Sequence, residues 1–195
     1  MKARYLLLAL AFAGSVLADG ARLVENVDLR TITQEITAAL KTSAAPQDVA
    51  ASLKSRTYGK QISVAGASVT DLREMDALPV ATARQFTGVY SLAGRSYPEP
   101  SSLDAQRIAE TLKGFMAHAT WRPDPERIRC SGAGLVVLNL RQDQTTVTYN
   151  LLTSTYTFRR LRLGQLVSVE ATISGLSMKD GHLDVVGLIR EIGEP

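Results

Sequence analysis

One cysteine, one tryptophan and two histidines are the whole supply of those residue types in 195 residues. A single thiol cannot close an internal disulfide, so packing rather than cross-linking must hold the fold. Neither His118 nor His182 has a cysteine, histidine or carboxylate at the spacing of an HExxH or CxxC site, so no metal centre is expected. The chain also lacks a P-loop, a G-x-G-x-x-G fingerprint and a G-x-S-x-G elbow. With each of these missing, the expectation is a non-enzymatic protein that carries no cofactor. Low-complexity segments and repeats at a solenoid period are absent too.

What the chain does have begins at its first residues, MKARYLLLALAFAGSVLADG. Lys2 and Arg4 precede a short apolar core, Leu6 to Ala13, and Val16-Leu17-Ala18 fits a small-residue cleavage pattern. The run is too short to span a bilayer, and no later stretch is long and apolar enough to do so. Residues 1–18 therefore read as a secretory signal with cleavage after Ala18, and the expected location is periplasmic or secreted. No cysteine follows the cleavage site, which argues against lipid attachment. Of 22 basic residues, Lys2 and Arg4 leave with the signal, so 20 remain against 19 acidic ones. Most of the apparent basicity thus belongs to the export tag, and the balance gives no support to nucleic-acid binding, which draws on a basic patch.

Beyond the signal, residues 19–58 read as a helical segment. Leu29, Ile32, Ile36, Ala39 and Leu40 fall at helical spacing in "DLRTITQEITAALKT", with Asp28 placed to cap it. Pro46 suits the first turn of a second helix, "PQDVAASLKSRT", with Val49, Ala50 and Leu53 on one face. At Gly59 the period changes to that of a strand, Gly59 to Val69, with Gly66 as a bend or bulge. Residues 71–127 read differently. One strand is expected around Phe86 to Leu92. Ser101 and Asp104 form a capping pair ahead of a helix running to about Ala117, striped by Leu103, Ile108, Leu112, Phe115 and Met116. "TWRPDPER" ends that helix through its prolines. From Ile128 onward the pattern is β throughout: "GLVVLNLRQ", "TTVTYNLLT", "TYTFRRL" and then "VSVEATISGLSMKDGHLDVV". In the last of these, Val167, Val169, Ala171 and Ile173 share a face opposite Ser168, Glu170, Thr172 and Ser174, and Asp180-Gly181 supplies a turn. Adjacent Val185 and Val186 break the alternation, which indicates a bulge or burial on both sides. Gly59 to Val64 also echoes Gly164 to Val169, either by coincidence or because both begin long strands of one barrel.

Tyr58, Gly59, Lys60, Val64 and Gly66, followed far downstream by Gly164, Gln165, Val167, Val169 and Gly175, form a pattern of their own. Preceded by two helices and closed by a last hairpin strand, it resembles the bacterial OB-fold family described as tRNA-anti-like. The resemblance covers roughly residues 29–70 and 128–192, and this chain differs by its long insertion after the first strand, about 71–127. It implies a mainly β fold with added helices (α+β): a five-stranded Greek-key barrel over 59–192, two N-terminal helices and an inserted helix-containing segment. Such barrels bind on their middle strands, between the loops joining strands one to two and four to five. The insertion falls in the first of those loops, where it either builds a partner surface or caps the barrel. The family's name does not by itself carry function.

The residues that stand out as candidates for binding lie in "TYTFRRLR". Read as a strand, it puts Tyr156 and Phe158 on one face and gathers Arg159, Arg160 and Arg162 at its end. Arginine forks grip carboxylates and phosphates, so the cluster is either an anionic contact or an ordinary solvated strand end. Trp121 is either an exposed anchor or a cover for the core. Cys130 is either a buried thiol or a partner in an intermolecular disulfide. The expected function is an exported binding module that contacts a protein or envelope polymer through strand face, insertion and arginines. Two other readings compete with it: a single-stranded nucleic-acid-binding protein, and a hydrolase with scattered acidic residues.

Overall fold

The computed structural model describes residues 29–41, 45–92, 94–97, 104–142, 145–179 and 182–195. The expected signal and its cleavage site, the Asp28 cap, Ser101 and the Asp180-Gly181 turn lie outside them. Two helices lead in, α1 (Leu29–Lys41) and α2 (Pro46–Thr57). Leu29, Ile32 and Ile36 of α1 and Ala50 and Leu53 of α2 are buried, as their three- and four-residue spacing requires. Pro46 sits in the first turn of α2, where its missing N–H costs no hydrogen bond.

β1 (Gln61–Glu74) is long enough to serve two neighbours. Its register shifts between Val64 and Ala67, where Gly66 adopts φ 69°. The bend turns the first half toward β9 (Leu166–Lys179) and the second half toward β7 (Ala133–Gln142). From β7 the sheet continues to β8 (Thr145–Ser154), then β10 (His182–Gly193), then β9, which closes on β1. The result is a closed five-stranded barrel in which only the β8–β10 pairing is parallel. The two echoing segments lie side by side in it, with Val64 opposite Val169, each following a glycine at positive φ, Gly59 and Gly164. The protein is mainly β with added helices.

The last hairpin buries Val167, Val169, Ala171 and Ile173 inside the barrel. Val185 points into that same core, while Val186 is buried on the opposite side, just before a register shift at Gly187. The broken alternation therefore marks both a bulge and two-sided burial. Ser174 departs from the polar face it was assigned to: it is buried, and its hydroxyl donates to the Val186 carbonyl at 3.1 Å.

Between β1 and β7 lies the inserted segment. It contains β2 (Ala77–Pro79), α3 (Val80–Gln85), β3 (Tyr90–Leu92), β4 (Arg95–Tyr97), α4 (Ala105–Phe115), β5 (Thr120–Pro123) and β6 (Arg127–Ser131). β1 runs on to Glu74 and the barrel resumes only at Ala133, so the inserted segment starts later and ends later than the composition suggested. β3 extends the barrel sheet in parallel beside β9, with β4 at its edge, while β2, β6 and β5 form a separate three-stranded sheet. The strand expected around Phe86 to Leu92 is shorter than that. Pro79 starts a helix instead, and the Phe86 N–H caps it on the Ala83 carbonyl at 3.1 Å. Asp104 caps α4 by accepting from the Arg107 N–H at 2.8 Å. Pro123 is tolerated in β5 because β5 is an edge strand of its sheet.

Two apolar cores follow. One fills the barrel and takes in α1, α2, Tyr90 and Leu92. The Thr57 hydroxyl donates to the Leu53 carbonyl at 2.7 Å and so accepts from the Tyr90 hydroxyl at 2.8 Å, tying α2 to β3. In the other, Ile108, Leu112, Met116, Trp121 and Ile128 of the insertion pack on Leu135, Leu152, Val186 and Leu188, the outward residues of β7, β8 and β10. The insertion is a cap over the barrel wall.

Candidate functional site

Where β8 ends, the chain does not continue as a strand. Ser154 accepts a hydrogen bond from the Thr157 N–H at 3.2 Å and starts a short helical turn, α5 (Thr155–Phe158). The expectation of a strand through "TYTFRRL" is therefore wrong: alternating Thr, Tyr, Thr and Phe suits a strand, but the Ser154 cap turns the chain across the barrel end. The turn separates the residues that a strand would have aligned. Phe158 packs on the barrel core, close enough to Gly134 that a β-carbon there would meet its ring at 2.6 Å, while Tyr156 stays exposed.

The three arginines diverge for the same reason. Arg159 pairs with Glu74, Nη2 to Oε1 at 3.1 Å. Arg160 lies over the Tyr156 ring, its guanidinium carbon 4.5 Å from the centroid. Arg162 donates its backbone N–H to the Gln165 side chain at 3.1 Å. Of the three, only Arg160 lines a half-open groove of about 970 Å³. Trp121 belongs to the cap and not to a ligand surface: it is 8% exposed, and its indole N–H donates to the Met116 carbonyl at 3.3 Å.

Several parts of the chain build the groove, among them Gly59 and Gln61 at the start of β1 and Gln165, Val167 and Thr172 around β9. The barrel end contributes Thr153, Ser154 and Thr157 around α5, and the cap contributes Phe115 and His118 after α4. The end of β10 contributes Ile189, Arg190, Glu191 and Glu194. Arg190 owes its position to a register shift between Ile189 and Glu191 that leaves it without a partner on β9, a bulge that re-aims one side chain beside a site. Leu161, Leu188 and Ile192 give the lining its apolar part, and its exposed charged and polar side chains are His118, Arg160 and Arg190 together with Glu191 and Glu194. Such a mixture suits an extended ligand that has both apolar and charged groups, with the arginines placed to meet its anionic ones. His118 and Arg190 carried no recognisable signal in the sequence. Among the described residues no group of three or more His, Cys, Asp or Glu side chains could hold a metal ion, and no helix is long and apolar enough to cross a membrane.

On the barrel wall beyond the cap, the Thr148 hydroxyl donates to the Asn139 side-chain amide oxygen (Oδ1) at 2.9 Å and lies 3.0 Å from His182 Nε2. The His182 ring is also 3.4 Å from an Asp184 oxygen. Every polar partner in this row is another member of it, so it reads as a cross-strand network that stabilises the wall.

Cys130 is a free, buried thiol whose Sγ–H donates to the Met75 carbonyl at 3.3 Å. Burial, with Asp76 adding to it, pushes the thiol up from its ordinary 9.0 to about 11. The folded state therefore holds this proton where the unfolded chain has lost it, so stability is full below pH 9.0 and erodes between 9.0 and about 11. Burial raises Tyr90 and Tyr149 to about 12 with the same sign. Thermal melts at rising pH should show this alkaline loss, and Cys130→Ala should remove the thiol's share, about 3 kcal/mol at most.

The fold and the groove define a class: a mainly β, barrel-based protein with an inserted cap and a ligand-sized groove at the barrel end. Compared with known proteins, the chain matches no family model, no curated protein and no solved structure.

Proposed function

We propose that the chain is an exported, non-enzymatic binding module on an OB-like Greek-key barrel, which contacts a protein or envelope polymer through the groove beside α5. One observation carries this reading: a groove of about 970 Å³ whose lining joins apolar Leu161, Leu188 and Ile192 to Arg160 and Arg190. The OB-like part is supported by strand order. Taken in chain order, the barrel strands neighbour one another as first, second, third, fifth, fourth and back to first, with third and fifth parallel. A short helix between the third and fourth strands fits the same pattern.

Arg160→Ala with Arg190→Ala should weaken retention of the partner in crosslinked pulldowns from envelope extract by about tenfold per arginine. Unchanged retention by the folded double variant would remove the groove from the reading.

Nucleic acid is the competing ligand for a barrel of this order. Its usual seat, the outer face of the second and third strands, is here β7 and β8. Leu135 and Leu152 on that face are buried under the cap, which speaks against a base-stacking surface there. Titration of single-stranded DNA at low salt separates the two, since appreciable affinity that falls steeply with salt would favour the nucleic-acid reading. The hydrolase reading gains one observation, the carboxylates of Glu191 and Glu194 on the groove wall. Both residues are exposed, unlike the desolvated settings in which catalytic carboxylates are tuned.

A further inference from the structure

The large hydrophobic side chains that stand exposed among the described residues gather in one place. They are Tyr156 at 69%, Leu163 at 66% and Leu166 at 55%. All fall within residues 156–166, and Arg159, Arg160 and Arg162 are interleaved with them. This knuckle is held from beneath. Phe158 and Leu161 pack on the barrel core, and Gly164, at φ 77°, donates its N–H to the Val69 carbonyl at 2.8 Å. Val69 in turn donates to the Gln165 carbonyl at 2.9 Å. The core thus takes the inward residues of the segment and leaves its apolar tips and arginines facing water.

We infer that this knuckle docks the barrel onto an anionic lipid surface, with Leu163 and Leu166 crossing the headgroup boundary and Arg159 and Arg162 on lipid phosphates. Charge points that way: the segment carries three arginines and no acidic residue, and among the described residues the carboxylate paired to it is Glu74. Size decides between a lipid and a protein. Side chains this exposed sit in no concavity, and three of them present on the order of 300 Å². A stable protein interface needs roughly 800 Å² on each side, with matching shape. A fluid surface needs no matching contour, because each inserted leucine and each arginine near anionic headgroups adds its own contribution. Tyr156, apolar in its ring and polar at its hydroxyl, suits the boundary between the two phases. Leu163, Leu166, Arg159 and Arg162 do not line the groove, so this surface and the groove can fail separately.

The test is cosedimentation of the full chain with phosphatidylglycerol–phosphatidylcholine vesicles, against phosphatidylcholine alone. Variants share the same N-terminal residues, so any contribution from those is common to every arm. Arg159→Gln with Arg162→Gln should weaken binding to the anionic vesicles about thirtyfold. Leu163→Ser with Leu166→Ser should weaken it about tenfold or more, with an unchanged melting temperature. A local readout comes from Leu163→Trp, whose indole should shift its emission to the blue and be quenched by brominated lipid, while buried Trp121 stays unquenched. The inference is overturned if either double variant binds as the parent does, or if the introduced indole stays unquenched. Capture by an immobilised acidic protein, with anionic vesicles left unbound, would also overturn it, in favour of a protein partner.

Discussion

Gly175→Ala is expected to destabilise the protein by about 3 kcal/mol, measured by urea denaturation, although it adds a single methyl group. A β-carbon at this position would lie 2.5 Å from the Gln85 carbonyl oxygen and 2.7 Å from that of Val89. Both contacts are backbone, so no side chain can swing away to make room. Gly88 donates its N–H to the Ser174 carbonyl at 2.9 Å in the same place, which fixes how closely the end of α3 approaches β9. The methyl group must push α3 off the barrel or bend β9 outward, and each movement opens packing in a core. Gly114→Ala provides the opposite case. Gly114 is an exposed residue of α4 with open space where its β-carbon would go. There the same substitution lowers only the entropy of the unfolded chain, and stability should rise by about 0.5–1 kcal/mol. Equal and small effects at both sites would refute the close approach at Gly175.

The second large effect is expected at Leu112→Ala, a loss of about 2–5 kcal/mol. Leu112 is fully buried in the core between cap and barrel, among Ile108, Met116 and Ile128. That core has no floor of its own: it rests on Leu135, Leu152, Val186 and Leu188, outward residues of barrel strands. If cap and barrel are one cooperative unit, the variant should still unfold in a single transition, with tryptophan fluorescence and far-ultraviolet dichroism coinciding. Trp121 reports on the cap and dichroism mainly on the barrel strands. An early fluorescence transition, with the barrel still folded, would show that the cap can leave alone.

Much of the architecture was legible in the residues. Pro46 and the spacing of Leu29, Ile32 and Ile36 announced the two helices, and Gly66 announced the bend in β1. The alternation of Val167, Val169, Ala171 and Ile173 announced the barrel-facing side of β9, and Val185-Val186 its broken partner. These signals are local, because backbone preference and side-chain period act over a few residues. α5 was misread because two residues types that favour strands, Thr and aromatic, alternate in "TYTF", and only the end of β8 makes Ser154 a cap. The arginines were seen as a cluster because they are neighbours in sequence. A helical turn sends neighbours in different directions, so along the knuckle Arg160 reaches the groove and Arg159 pairs with Glu74, while Arg162 does neither.

By itself, then, the sequence determined the two leading helices, the bend in the first long strand and the barrel-facing side of β9, and it marked the two glycine-led strand entries without deciding that they pair. It also determined that α4 carries an apolar stripe in need of a partner surface. Only the tertiary structure decided that this surface is the outer wall of β7, β8 and β10, which sets the cap where a barrel of this order would otherwise offer a binding face. It alone brought Gly59, His118, Arg160 and Arg190 around one groove and left Leu163 and Leu166 in water. The physical reason is distance along the chain. Periodicity records which face of an element is apolar, but what covers that face is settled by long-range packing between segments the pattern cannot connect.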